Sequence, residues 1–248
     1  MTGTVVVTAS TGSFPGLIEA LRAVPISAEE CPLITFAPPV DWGAVDAAIR
    51  NLARYDAVAF TSPRSARAFA GRLAAAGTGG GDGLPKVWAA GAGTADALGD
   101  VLGTVRWPDE GAVGRDGAAG ALAEALMEEG TRGPVLFPCG DIRRDELPAR
   151  LRDGGIVVEE LVCYRSVLAG ETDARRAAER AQVLVVASPS VADLLARACP
   201  PGSRPALVAV GPTTADAARA SGWPPERVAA RPTTEALTAA IRALMAGR

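Results

Sequence analysis

The sequence predicts an α/β protein with two related, doubly wound parallel sheets. Runs rich in Val, Leu and Ile alternate with runs rich in Ala, Leu and Arg, which is the pattern of successive βα units. Strand-like runs such as VVVT, VLVVA and ALVAV are apolar throughout, as expected when helices cover both faces of a sheet. The chain of 248 residues also repeats itself, and its length suits two domains of ordinary size.

The repeat consists of two phrases that recur in the same order. VAFTSPRSARAFAGRL is matched later by VLVVASPSVADLLARA, and each joins an apolar run to a Ser-Pro pair and a helical continuation. VWAAGAGTADALGDVLG is matched by LVAVGPTTADAARASG, so that Gly91 aligns with Gly211 and Thr94 aligns with Thr214. Taken alone, the repeats place a domain boundary near Gly133.

The predicted elements follow the alternation along the chain. Short apolar runs predict strands at residues 4–8, 33–36, 57–60, 87–90, near 105, and at 135–137, 157–162, 183–186, 206–210 and 228–229. The intervening runs predict helices at residues 16–23, 42–52, 65–75, 94–102, 118–128, 146–152, 173–180, 191–198, 214–221 and 235–245. The Gly-rich segment at residues 77–85 predicts a flexible loop, and it lacks the G-K-[ST] ending of a phosphate-binding loop.

The composition excludes several kinds of chemistry. The chain has no histidine, and its four cysteines show no C-x-x-C spacing, so we expect no metal site and no histidine acid–base catalysis. The single lysine, Lys86, is interpreted as a solvated strand-start residue rather than a Schiff-base residue. A net charge of −3 gives no support to a nucleic-acid partner. No apolar run approaches the roughly 20 residues of a spanning helix, and no signal peptide is evident, so we expect a cytoplasmic protein without a membrane partner.

Two Ser-Pro junctions are candidate ligand sites. Thr61, Ser62 and Arg64 lie in TSPRS, and Ser188 and Ser190 form SPS, each between a predicted strand and a predicted helix. Serine before a proline is a common helix start, and capping alone explains each pair. The alternative is functional, because ligands of doubly wound sheets bind outside the carboxyl ends of the strands, where helix N-termini present free N–H groups.

The glycine-containing junctions occupy the next strand end in each half. GAGT runs from Gly91 to Thr94, and GPTT runs from Gly211 to Thr214. Neither matches the G-x-G-x-x-G pattern, so a nicotinamide cofactor is not expected. The simpler interpretation is a tight turn in which Thr94 or Thr214 caps the following helix.

The remaining polar candidates are a tyrosine and several charged residues. Tyr164 ends a predicted strand, where its ring could simply pack, but in a chain without histidine it is also the best available proton donor. Arg143 and Arg144 either mark a solvated helix face or bind carboxylates in a bidentate manner. Asp141 and Arg165 stand beside them in the same two segments.

In order and spacing, these phrases resemble the uroporphyrinogen-III synthase family, cofactor-free enzymes of tetrapyrrole biosynthesis. The resemblance covers essentially the whole chain and includes DAVAFTSPRSA, GPVLFPCGD, LVCYRS and ARPTTEALTAAI. It implies two flavodoxin-like domains joined by a two-stranded connection, with domain 1 at residues 1–37 plus 167–248 and domain 2 at 38–166. This division differs from the boundary near Gly133, and the two agree if each sheet takes strands from both halves.

The resemblance implies a lyase that cyclises hydroxymethylbilane with loss of water and inversion of ring D, through an azafulvene and a spiro intermediate. Orientation of a reactive substrate would be its main task. It implies a monomer without a cofactor, in which Tyr164 assists departure of the hydroxyl group. Hydroxyl and backbone groups would bind the substrate carboxylates at Thr61, Ser62, Arg64, Gly91, Thr94, Ser188, Ser190, Gly211, Thr213 and Thr214.

Two other classes of protein remain open at this point. A non-catalytic two-domain sensor or small-ligand binding protein shares the architecture, and it predicts a ligand without turnover. A nucleotide-dependent transferase is disfavoured, because the sequence has neither a P-loop nor a dinucleotide fingerprint.

Overall fold

Two compact units make up the structure, a computed structural model that describes residues 4–24, 26–77, 84–109 and 117–247. Unit 1 comprises the described residues up to Phe36 and from Val167 onward, and unit 2 is Ala37–Ser166. The resemblance-based boundaries lie within one residue of this division, whereas a cut near Gly133 would separate residues that share unit 2. Of the predicted loop at 77–85, residues 78–83 lie outside the described residues.

The described residues contain the following strands and α-helices. The strands are β1 (Thr4–Val7), β2 (Ser27–Glu30), β3 (Ile34–Ala37), β4 (Ala57–Phe60), β5 (Lys86–Ala89), β6 (Val105–Arg106), β7 (Val135–Gly140), β8 (Val158–Leu168), β9 (Val183–Val186), β10 (Ala206–Ala209) and β11 (Arg227–Val228). The helices are α1 (Leu17–Arg22), α2 (Gly43–Arg50), α3 (Pro63–Ala75), α4 (Ala92–Asp96), α5 (Gly117–Glu128), α6 (Glu146–Asp153), α7 (Glu171–Arg180), α8 (Pro189–Ala198), α9 (Pro212–Ala220) and α10 (Thr234–Ala246).

Each unit is built on a parallel sheet. Unit 1 has the strand order β11-β10-β9-β1-β2, which is the flavodoxin-like order. The six-stranded sheet has the order β3-β8-β7-β4-β5-β6, in which the pairs from β8 to β6 are parallel. The boundaries between the units fall within β3 and β8, which are neighbours in this sheet, so the predicted two-stranded connection is confirmed.

The two sheets have the same spatial order with a permuted chain order. Strands β4, β5 and β6 hold the places in unit 2 that β9, β10 and β11 hold in unit 1. The places of β1 and β2, which begin the chain, are taken in unit 2 by β7 and β8, which follow its other strands. Each sheet therefore draws strands from both halves of the chain. The repeated phrases follow one another along the sequence, whereas unit 2 is inserted between the two segments of unit 1.

Helices cover both faces of each sheet, as the uniformly apolar strands predicted. Val58 and Phe60 of β4 pack into one apolar cluster with α2 and α3, while Ala57 and Ala59 pack into another with α5 and α6. The strands of unit 1 alternate in the same way between two clusters. Burial of both faces selects Val, Leu, Ala and Phe at successive positions of a strand.

The element predictions fail at three places for identifiable reasons. The strand predicted at 157–162 continues to Leu168 as β8, because it pairs with β7 as far as Tyr164 and then leads into unit 1, so Tyr164 lies within the strand and not at its end. Strand β2 has the polar sequence SAEE, and it forms because it pairs with β1 at the sheet edge, where only Ala28 is buried. The predicted helix at 94–102 is split into α4 and a short 3₁₀ turn, because Gly99 has a φ of 59°. Within the described ranges, no helix is both long enough and apolar enough to cross a membrane.

Candidate active site

A cavity of about 550 Å³ opens at the carboxyl edge of the unit 2 sheet. Strand order reverses between β4 and β7, and such a switch point is where doubly wound sheets bind ligands. The wall comes from the ends of β4, β5 and β7, the first residues of α5 and α6, and the loop before α6. The lining residues are Thr61, Ser62, Ala90, Gly117, Ala118, Ala119, Cys139, Gly140, Ile142, Arg143, Arg144, Glu146, Leu147 and Tyr164.

Thr61 and Ser62 reach the cavity because they join β4 to α3. Pro63 occupies the first helical position, and the Ser62 Oγ accepts a hydrogen bond of 3.2 Å from the backbone N–H of Ser65. The capping interpretation is therefore confirmed for Ser62, and this residue also lines the cavity. Ser188 stands at the equivalent start of α8 in unit 1, but its hydroxyl makes no cap hydrogen bond in the described structure, so the capping interpretation was wrong for its side chain.

Tyr164 enters the cavity from β8. A register shift between Cys139 and Gly140 on the neighbouring strand sets Tyr164 opposite Gly140. Its half-buried ring lies with its centroid 5.7 Å from the guanidinium carbon of Arg64, within the range of a cation–π contact. The site thus combines a phenol with an adjacent cation.

Arg64 is held close to Tyr164 in a half-buried position. Burial lowers the pKa of its guanidinium, while the interaction with Tyr164 acts in the opposite direction. Guanidinium groups start from so high a pKa that Arg64 stays charged at neutral pH. It therefore contributes positive potential beside the phenol, in a protein whose net charge is −3.

The two neighbouring arginines of the cavity have different environments. They lie in the loop before α6, so the prediction of a helix face was wrong. Arg143 forms an ion pair with Glu160, which also bonds Arg152 at 2.5 Å. The hydrogen bond from Arg143 lowers the pKa of Glu160 against the effect of burial. Arg144 leaves 81% of its side chain exposed and has its ion-pair partner Glu146 at 3.9 Å.

Asp141 fixes the start of the same loop. Its Oδ1 accepts hydrogen bonds from the backbone N–H groups of Ile142 at 2.9 Å and Ser166 at 2.8 Å. Its own backbone N–H bonds the carbonyl oxygen of Tyr164 at 3.1 Å. These bonds tie the loop to the strand that carries Tyr164. Arg165 points its Nε to the carbonyl oxygen of Pro38 at 3.0 Å, away from the cavity lining.

Cys139 lines the cavity but is not a nucleophile. Burial raises the pKa of its thiol to about 11, and burial raises the pKa of nearby Cys163 to about 12. Both thiols are therefore protonated at neutral pH, and only thiolates are reactive. Among the described residues, no group of His, Cys, Asp or Glu is arranged to hold a metal ion.

The glycine junctions differ from their sequence interpretation. Gly91 and Gly211 are themselves the N-caps of α4 and α9, in extended conformations. Thr94 and Thr214 stand at the third helical position and are buried, so the prediction that they cap these helices was wrong. A side chain at Gly91 or Gly211 would meet open space, and neither glycine is required by a tight turn. Thr213 is exposed on α9.

The structure brings part of the predicted site together. Thr61, Ser62 and Tyr164 share the cavity with Arg64 against the phenol ring. Gly91 and Thr94 follow the cavity residue Ala90 at the next strand end of unit 2. The other predicted residues lie at the corresponding carboxyl edge of unit 1, and they are Ser188, Ser190, Gly211, Thr213 and Thr214.

Sequence reasoning missed the wall that faces Tyr164. Gly140 and Ile142 lie in the phrase PCGDI, directly after an apolar strand, and position alone could have indicated them. Glu160 carried no such signal, because its role depends on the pairing of β7 with β8 and on the loop that follows β7.

Comparison with known proteins adds three findings. A family model described as Uroporphyrinogen-III synthase HemD matches residues 16–239. A mutant uroporphyrinogen III synthase from the extremely thermophilic bacterium Thermus thermophilus is 18% identical over 98% of each chain, with a TM-score of 0.61. The uroporphyrinogen-III synthetase of Helicobacter pylori is 17% identical over 99% of this chain and 100% of its own, also with a TM-score of 0.61. At these identities, the two structures establish the fold.

Proposed function

Because the chain belongs to the uroporphyrinogen-III synthase family, we propose that it cyclises hydroxymethylbilane to uroporphyrinogen III, with loss of water and inversion of ring D. The observation that supports this function is the pairing of Tyr164 with Arg64 at the cavity of unit 2. It provides a phenolic proton donor beside a fixed positive charge, at the sheet edge where ligands of such folds bind.

In the proposed reaction, Tyr164 assists the departure of the substrate hydroxyl group. The C–O bond breaks as the phenol gives its proton to the leaving oxygen, so that water departs. Electrons from the pyrrole nitrogen form the exocyclic double bond of an azafulvene. The substituted α-carbon of ring D then bonds the exocyclic carbon of the azafulvene, which gives a spiro intermediate. The older bond from that α-carbon to the methylene bridge of ring C breaks, and the bridge forms a new bond to the free α-carbon of ring D, which inverts the ring. The proton displaced from this second α-carbon returns to the phenolate. Tyr164 thereby ends the cycle protonated.

The cavity also suits the acetate and propionate groups of the substrate. Helices α3 and α5 begin at its wall, and their N-termini favour anions. Arg144 is the exposed cation of the lining residues, whereas Arg143 is already paired with Glu160. We assign carboxylate binding to Thr61, Ser62, Arg64 and Arg144. The other proposed contacts are Gly91, Thr94, Ser188, Ser190, Gly211, Thr213 and Thr214.

We further propose that the protein acts as a cytoplasmic monomer without a cofactor or a nucleic-acid partner. Orientation carries most of the catalysis in this proposal, because the substrate also closes unaided, without inversion of ring D. A chain without histidine is compatible with such a reaction.

The test supplies freshly made hydroxymethylbilane to the purified protein and separates the oxidised products by isomer. We expect the type III isomer to dominate, formed faster than the substrate closes in buffer. The type I isomer alone, at the rate seen without protein, contradicts the proposal. If the substrate were bound without any acceleration, the protein would be a ligand-binding protein instead.

A further inference from the structure

Gly140 and Tyr164 are in closer contact than any side chain at position 140 would allow. A Cβ atom built on Gly140 would lie 2.5 Å from Cζ, 2.7 Å from Cε2 and 2.7 Å from the hydroxyl oxygen of Tyr164. Carbon atoms in contact are normally about 3.5–4.0 Å apart. The phenol end of Tyr164 therefore occupies the place where a side chain of residue 140 would stand.

Backbone conformation does not require glycine at this position. Positive φ angles, which favour glycine, occur in the described residues at nine glycines, and Gly140 is not one of them. Gly140 is a buried residue that ends β7, in a strand whose other members carry side chains. The missing side chain thus matters for the space it leaves, and Tyr164 is what fills that space.

The surrounding contacts leave the ring few other positions. The register shift between Cys139 and Gly140 sets Tyr164 beside Gly140, and bulges of this kind redirect side chains near functional sites. Arg64 lies against the ring. Asp141, the next residue after Gly140, bonds the Tyr164 carbonyl oxygen through its backbone N–H. The end of β7 therefore contacts Tyr164 twice, through a hydrogen bond to its backbone and through the packing of Gly140 against its ring.

We propose that Gly140 is a positioning residue that gives the Tyr164 phenol its place in the cavity, an inference that rests on the proposed function of Tyr164. A methyl group at residue 140 displaces the far end of the ring, which moves more easily than the backbone. The hydroxyl group then leaves its proton-donating position. A misplacement of about 1 Å lowers the rate of an orientation-dependent step by up to about 100-fold.

The test is Gly140→Ala, with Gly71→Ala as the matched control, because a Cβ at exposed Gly71 in α3 meets no atom within 4 Å. We expect Gly140→Ala to lower kcat by about 10- to 100-fold, with KM changed less than about threefold. Gly71→Ala should keep the wild-type kcat. In a Tyr164→Phe background, Gly140→Ala should cause little further loss, because no hydroxyl group remains to be misplaced. A loss that multiplies in that background contradicts the proposal.

A spectroscopic reading separates this proposal from the proposed function. The chain has two tyrosines, so 3-fluorotyrosine labelling gives two fluorine resonances, one from Tyr55 and one from Tyr164. Without substrate, Gly140→Ala should shift the Tyr164 resonance and leave that of Tyr55 in place. An unshifted resonance, or a shifted one with wild-type kcat, overturns the proposal. If the wild-type protein made no type III isomer, the proposed function would fail while the fluorine shift would still test the contact.

A folding defect is covered by a second variant. If Gly140→Ala fails to fold, Gly140→Ala combined with Tyr164→Leu should fold, because the smaller side chain removes the steric conflict. Failure of the double variant would show that residue 140 must be glycine for a reason other than the tyrosine, and would overturn the proposal.

Discussion

Tyr164→Phe is expected to lower kcat by about 100-fold, which is the effect of removing a positioned proton donor. The variant keeps the ring beside Gly140 and Arg64 and removes only the hydroxyl group. As the enzymatic reaction slows, unaided closure consumes more of the substrate. The fraction of type I isomer in the product should therefore rise, while KM changes little. Steady-state kinetics with isomer separation measures both quantities.

Two control variants make this result specific. Tyr55→Phe makes the same chemical change at the other tyrosine, which is buried in the unit 2 core and accepts a hydrogen bond of 2.5 Å from Arg54. It should leave kcat unchanged. Arg143→Ala removes a cavity arginine that is already paired with Glu160, and its effect should be smaller than that of Tyr164→Phe. Equal and negligible effects of Tyr164→Phe and Arg143→Ala would remove Tyr164 from the mechanism.

Phe60→Ala is expected to lower the free energy of unfolding of unit 2 by about 3–5 kcal/mol. Phe60 ends β4 with 0% of its surface exposed, and its ring meets that of Phe69 edge to face at 5.7 Å. Truncation removes this buried area and leaves a cavity in the core at the residue that immediately precedes Thr61 and Ser62. The variant should therefore lose both stability and activity.

Urea unfolding followed by tryptophan fluorescence measures the stability effect. Three of the four tryptophans, Trp42, Trp88 and Trp107, belong to unit 2, so the signal reports mainly on that unit. Val40→Ala is the control, because Val40 is 86% exposed and its truncation should change stability by less than about 0.5 kcal/mol. A loss at Phe60 below about 1 kcal/mol would mean that this core does not carry the stability of the unit.

Much of the fold was predictable from the sequence because the central strands are buried on both faces. In β4, β9 and β10 every residue is buried, so uninterrupted apolar runs mark them directly. Strand β2 was missed because its polar residues form a strand only through pairing with β1, which no local pattern records. The permuted order of the two sheets was equally hidden, since the repeats show which segments are related but not which strands lie side by side.

The candidate site was also predictable only where a local sequence pattern marked its residues. Thr61, Ser62 and Tyr164 were predicted from their positions at strand ends, and the structure places them in one cavity. The partners that determine their geometry depend on contacts between segments distant in sequence. Gly140 meets Tyr164 through the register of β7 and β8, and Glu160 holds Arg143 through the loop that follows β7. Such contacts follow from the folded arrangement and leave no local signal.

Hydrogen exchange tests most directly whether the carboxyl edge of the unit 2 sheet is the reaction site. Amide exchange is measured with and without uroporphyrinogen III, kept reduced under anaerobic conditions, at a concentration where binding is shown separately. We expect slower exchange at residues 61–66 and 139–147, which contain the cavity wall and the starts of α3 and α6. Unchanged exchange in both segments, with the product bound, would contradict the assignment of this cavity.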